Sequence, residues 1–176
     1  DIINAMNNVL TQWQDDGHAC QQQKPLAMSF DECWQIFGNI MGHEVAGLMN
    51  PVIRWLSIFT SGKSTKNSPN FLKNVIQGYR RNKHTYQKSL KQRQQMISSA
   101  STFFENFDVW VLPVTCNIAF KHIIPNQQHG PNRDYFDPLN INDKNLNYCD
   151  SLTAFTSVTG LIGHPVITMP IGLDNN

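Results

Sequence analysis

Apolar positions along this chain change their spacing several times, and each change marks an element. Ile3, Met6, Leu10 and Trp13 recur at helical spacing, so Ile2 to about Gln14 is predicted as a helix with Gly17 as its stop. His18 to Gln22 has the make-up of a short strand. A second helix is predicted from Ser29, whose hydroxyl can cap it while Glu32, three residues on, reaches back in a capping box. Cys33, Phe37, Ile40, Met41, Leu48 and Met49 form its expected buried face. Pro51 must end or kink that helix, since it lacks an N–H and pushes Asn50 out of the α region. A second apolar piece, Val52 to Phe59, and a polar loop, Ser61 to Asn67, follow.

The longest periodic stretch opens at Ser68-Pro69, a cap followed by proline at the first helical position. Its stripe runs through Leu72, Val75, Tyr79, Tyr86, Ile97 and Ala100 to Phe104, a long helix with room for one break, ended by Asp108. Two short runs then abandon the helical period: Asp108-Val109-Trp110-Val111-Leu112-Pro113 and Pro165-Val166-Ile167-Thr168-Met169-Pro170. Runs so short and rich in β-branched residues read as strands buried on both faces of a sheet, and proline, with no N–H to donate, stops the pairing. Strand ends of this kind border the ligand crevice of open α/β sheets. Between them lie a polar stretch, Lys121 to Asn147, and a predicted helix from Tyr148 to about Val158, with Gly160 and Gly163 loosening the turn. A stretch as long as Lys121 to Asn147 reads as a cover over a site or as disorder. The expected architecture is α/β in a single segment, helical over 1–107, then strand, loop, helix and strand over 108–173.

Composition narrows the partners. A chain of 176 residues can hold one domain with a sizeable core, and a net charge of +1 implies no global electrostatic partner. No apolar stretch approaches a membrane span and no leader resembles a signal peptide, so no membrane partner is expected. Cys20, Cys33, Cys116 and Cys149 stand far apart with no C-x-x-C pair, which fits reduced thiols in a cytosol better than a disulfide framework or a zinc site. The chain opens on Asp1 and closes soon after the second apolar run, so both ends are expected to be cut.

Four motifs tempt. Ser61-Gly62-Lys63-Ser64-Thr65 matches the end of a phosphate loop, but Ser57 stands where the first glycine belongs and a helical segment precedes it, so a solvated loop is the reading. His43-Glu44 opens like a zinc-protease motif, yet Gly47 replaces the second histidine; no metal site is expected. Arg80, Arg81, Lys83, Lys88, Lys91 and Arg93 crowd one helix with no acid between Glu44 and Glu105. Nucleic-acid phosphates would suit such a helix, but the aromatic interleaving needed for base stacking is weak, so a solvated face is the reading and no nucleic acid is expected. Cys116 beside His122, His129 or His164 would make a nucleophile and base, but nothing in the sequence brings them together.

Phe107-Asp108-Val109-Trp110-Val111-Leu112-Pro113-Val114-Thr115 resembles the F-D-x-x-x-x-P-x-T strand of the amidase signature family. Phe155-Thr156-Ser157-Val158-Thr159-Gly160-Leu161-Ile162-Gly163-His164-Pro165, running on to Leu173, resembles the family's F-T-x-x-x-N-x-x-G-x-P-x-x-x-x-P-x-G, with Gly160 where the family usually has Asn. The helix from Tyr79 to Met96 and the entry Met28 to Glu32 stand in the expected order. The resemblance implies part of a large mixed β-sheet surrounded by helices, in the C-terminal portion of a cytosolic bacterial amidase. It also implies amide hydrolysis by a serine nucleophile, a bridging serine in a cis peptide and a lysine, without a cofactor or metal. None of those catalytic residues has a matching position: Ser98-Ser99-Ala100-Ser101 lacks every glycine of the family's Gly-Gly-Ser-Ser-Gly-Gly loop. The machinery is therefore expected upstream of Asp1, and the isolated chain is expected to be inactive.

What the chain is expected to supply is one wall of a pocket for a small-molecule amide. Thr115, Cys116 and Asn117, just past the first proline stop, and Phe155, Gly160 and His164 are the candidate substrate-binding residues. Exposed sheet edges would favour self-association. Two alternatives stand: the glutamine-hydrolysing subunit of a transfer-RNA amidotransferase, disfavoured because no arginine matches a carboxylate clamp, and a helical interaction module without catalysis.

Overall fold

The computed structural model describes residues 2–26, 28–68, 70–117 and 139–172, and they are mostly helical with one two-stranded sheet. The first helix, α1 (Ile2–Asp15), stops at Gly17, whose φ of +89° only glycine adopts without strain. There the His18 N–H reaches the Trp13 carbonyl at 2.9 Å, closing the end of the helix. Residues His18 to Gln22 do not form the expected strand, because no segment among the described residues offers them a ladder.

The second helix, α2 (Phe30–Leu48), starts at Ser29, yet the Ser29 hydroxyl makes no cap bond, so the expected capping box is not formed. Its buried face is Cys33, Ile36, Gly38, Asn39, Gly42 and Ala46, while the expected Met41 and Leu48 are exposed and Phe37 and Ile40 are half-buried. The cause is a close helix crossing. Gly38 and Gly42 form a trough that holds α5 (Leu72–Tyr79), so a Cβ built on Gly42 would lie 2.0 Å from the Val75 carbonyl oxygen. Gly78 answers from α5: a Cβ there would lie 2.6 Å from the Asn39 carbonyl oxygen. Three missing side chains thus let two backbones touch and turn the buried stripe toward the glycines.

Pro51 acts as expected. It opens α3 (Pro51–Thr60) at the first position, and Asn50, at φ −57° and ψ 134°, accepts the Val52 N–H on Oδ1 at 2.9 Å. The segment expected as a polar loop is instead largely α4 (Gly62–Asn67). The long periodic stretch is broken once, between α5 and α6 (Lys83–Phe104), where Arg81 takes φ +51° and Asn82 caps α6 by accepting the Thr85 N–H at 3.0 Å. The Ser68 cap is also present, its Oγ accepting the Leu72 N–H at 3.1 Å, while the expected Pro69 lies outside the described residues.

Past the long helix, the single predicted helix from Tyr148 is two, α7 (Tyr148–Thr153) and α8 (Thr156–Ile162). They part where the Trp34 indole N–H donates to the Ala154 carbonyl at 2.8 Å. Gly160 lies inside α8, and it is Gly163, at φ +70°, that ends the helix. Cys33 and Ile36 of α2, Met96 and Ala100 of α6, and Val158 and Leu161 of α8 form the main core. The sheet is a hairpin, β1 (Leu139–Ile141) and β2 (Lys144–Leu146), antiparallel with Leu139 opposite Leu146. Its turn residues Asn142 and Asp143 both take positive φ, the geometry that suits a two-residue hairpin. It lies at the end of the stretch expected to be structureless.

Neither proline-closed run is a strand among the described residues. Val109, Val166 and Ile167 stand more than half exposed, so the apolar side chains expected between two sheet faces have no sheet against them. A strand is a paired state, and the composition of a run specifies willingness to pair, not the partner.

Candidate functional site

Both runs leave the C-terminal end of α6 from neighbouring anchors. Phe103 is buried, stacks on Phe107 at 4.4 Å between ring centroids and meets Trp110 at 5.9 Å, which fixes the start of the first run. The next residue, Phe104, meets the His164 ring at 4.8 Å and fixes the start of the second. Adjacent residues of one helix therefore anchor the starts of both segments.

Beyond the first run the chain hooks onto α7. The Cys116 N–H donates to the Ser151 carbonyl at 3.3 Å, and the Thr115 hydroxyl donates to the Asn117 carbonyl at 2.5 Å, which tightens the bend. Asn147 caps α7 by accepting the Cys149 N–H at 2.9 Å. Asp150, in the same first turn, reaches across to α5: its Oδ1 accepts the Phe71 N–H at 3.1 Å and the Ser68 hydroxyl proton. One carboxylate thus closes the start of α5 and holds α7 beside it.

The six candidate residues divide by what occupies them. Thr115, Cys116 and Asn117 form one group against α7. Phe155 sets its ring edge-on to Phe30 at 5.9 Å, and a Cβ on Gly160 would lie 3.4 Å from the Phe37 ring, so both serve the α8–α2 packing. No hydrogen bond or ring contact among the described residues links Thr115 or Cys116 to Phe155, Gly160 or His164. His164 differs from the rest: its Nε2 is buried with no hydrogen-bond partner among the described residues. A buried imidazole nitrogen without a partner costs free energy and is the group in this set with a bond still to make.

The Cys–His pair is not formed among the described residues. Burial raises the Cys116 thiol above its ordinary pKa, which keeps it protonated and poorly nucleophilic at neutral pH. His122 and His129 lie outside the described residues, as does most of the expected cover from Lys121 to Asn147. The phosphate-loop motif is helical backbone in α4, so its amides cannot cradle a phosphate. His43 stacks on Tyr86 at 3.9 Å, and no group of metal ligands forms there or elsewhere among the described residues.

Two features escaped the reading of the sequence. A small cleft lies between α2, α5 and α6, lined by Asn39, His43, Gly78, Thr85 and Tyr86, with none of the six candidates in its lining. The buried Asn39 Oδ1, without a partner among the described residues, sits on its wall, and the Tyr86 hydroxyl donates to the Glu44 carboxylate beside it. The glycine spacing along α2 was the available signal, since it places Asn39 at the crossing. The basic helix is also partly committed: Arg93 Nε donates to the Leu161 carbonyl at 2.8 Å, at the negative end of α8. The Arg81 guanidinium lies near Gly47, at the C-terminal end of α2.

Compared with known families, residues 1–176 match the amidase family model over the whole chain. No curated protein and no solved structure matches.

Proposed function

The chain belongs to the amidase family, hydrolases of carbon–nitrogen bonds, and on that premise we propose that it forms the helical flank and one pocket wall of an amidohydrolase whose Ser-Ser-Lys machinery is encoded upstream of Asp1. The family match across every residue is the observation that carries this reading. The serine-rich stretch Ser98 to Ser101 supports it, because it lies inside α6 with its amides committed to helix hydrogen bonds, so it cannot stabilise an oxyanion. The substrate is a small-molecule amide. His164, whose Nε2 is buried and without a partner among the described residues, supplies a polar contact to it or to a residue that holds it. Thr115, Cys116 and Asn117 form the neighbouring rim. The four cysteines stand far apart in sequence with no C-x-x-C pair, a spacing that suits a reducing, cytosolic setting. No helix among the described residues is long and apolar enough to cross a membrane.

Hydrolysis of a panel of aryl and alkyl amides tests the reading. The 176-residue chain alone gives no turnover above buffer, and the protein with its upstream segment does. In that longer protein His164→Ala raises KM by about tenfold with a smaller change in kcat, the pattern of a lost binding contact. An unchanged KM removes His164 from the wall.

A further inference from the structure

The basic helix α6 sends one arginine to the segment that carries His164. Arg93 is half-buried, and its Nε donates to the Leu161 carbonyl at 2.8 Å, near the C-terminal end of α8. That bond fixes the guanidinium, and Nη2 lies 3.6 Å from the place a Cβ would take on Gly163. Gly163, at φ +70°, turns the chain out of α8 and is followed directly by His164. The guanidinium therefore packs against the residue that presents the imidazole, although the two side chains come from different helices.

Both groups have bonds still to make. A guanidinium holds its N–H donors in a flat fork, and Nη1 and Nη2 of Arg93 make no hydrogen bond or ion pair among the described residues. His164 Nε2, one residue past Gly163, is buried and equally without a partner there. The neighbouring elements supply no carboxylate. The chain has no aspartate or glutamate between Glu44 and Glu105, which covers all of α6, nor from Ser151 to Leu173, which covers α8 and the run after it. On α2, which packs against both helices, Asp31, Glu32 and Glu44 are exposed and none of them pairs with Arg93. An arginine oriented by one bond, with the rest of its fork open, is preorganised for a planar anion, and a carboxylate accepts both Nη groups at once.

We propose that Arg93 and His164 form an anion subsite, in which Arg93 holds a carboxylate of the substrate through Nη1 and Nη2 and His164 donates to the same group from Nε2. The inference rests on the reading of this chain as a pocket wall, and it names the substrate class: an amide whose acyl chain ends in a carboxylate. The arginine missing from the motif context is thus supplied by α6, 68 residues before Leu161, where only the fold brings it to the wall. Its absence from the motifs therefore does not count against a carboxylate-bearing substrate.

The test compares kcat/KM, in the protein with its upstream segment, for succinamate, glutaramate and adipamate against butyramide, valeramide and hexanamide, the same chains with methyl in place of carboxylate. At least one charged amide is preferred to its neutral counterpart by about tenfold or more, and the preference shrinks as salt rises from about 0.05 to about 0.5 M. Arg93→Gln lowers that charged-to-neutral ratio by about tenfold or more, and Arg93→Lys, which keeps the charge but not the fork, lowers it less. The ratio does not depend on how much of the protein is folded, so loss of the bond to Leu161 cannot imitate the effect. If neither variant folds, the native preference and its salt dependence decide. No preference in the native protein overturns the proposal while neutral amides are still hydrolysed, and the pocket-wall reading then stands without it. An Arg93→Gln that lowers both substrates equally also overturns it, and assigns Arg93 to the end of α8 or to a carboxylate elsewhere in the longer protein. Turnover of no amide at all removes both the reading and the inference.

Discussion

Gly42 is the residue on which the helical packing turns. A methyl group there would meet the Val75 carbonyl oxygen at 2.0 Å, and backbone cannot rotate away as a side chain can. Gly42→Ala is expected to destabilise the chain by about 3 kcal/mol or more, read as a loss in urea midpoint. Gly160→Ala is expected to do the opposite. It stands inside α8 with room for a Cβ, 3.4 Å from the Phe37 ring, so replacing glycine adds about 0.5–1 kcal/mol through helix propensity. Cys33 supplies a second residue-scale test. Burial first, and the Glu32 charge next, push its thiol up to about 11 from 9.0. Above pH 9 the unfolded chain sheds that proton while the folded chain retains it, so stability falls as pH rises from 9 toward 11. Cys33→Ala should flatten that decline, measured by denaturant unfolding across the range.

Individual elements differ in how far they could be read from sequence, and the difference is one of range. The Asn50-Pro51 corner, the Gly17 stop and the break between α5 and α6 are set by residues within a turn of the event, so they are legible. The buried face of α2 is not, because its partner is the backbone of α5, more than thirty residues on, and glycines carry no hydrophobic signal. The proline-closed runs fail for a related reason: composition marks them as ready to pair, but pairing needs strands that the described residues do not contain. Of the candidate site, the motif positions were legible, whereas the burial of His164 Nε2 depends on Phe104 and the end of α8. At this scale Asp150 is the decisive contact. Asp150→Ala leaves the Ser68 hydroxyl and Phe71 N–H without their acceptor and releases α7 from α5. A loss of about 1–3 kcal/mol in thermal or urea unfolding is expected, with Asp150→Asn, which keeps an acceptor oxygen, losing less.

Seen whole, the molecule is a helical body with two apolar segments leading away from it. The core of α2, α6 and α8 is closed, and the Asp150 contact ties α7 to α5. By contrast, residues 109–114 and 166–171 carry exposed valine, isoleucine and methionine without sheet partners among the described residues. Such segments favour association with other strands, so the isolated chain is expected to self-associate at raised concentration, checked by sedimentation velocity. On the proposed reading, the same segments enter a larger sheet and bring His164 to the rim of a pocket. An amide-hydrolysis assay of these 176 residues alone is the most direct test of a pocket wall without catalytic machinery. No turnover above buffer is expected with any amide tested, and sustained turnover by the isolated chain would contradict that role.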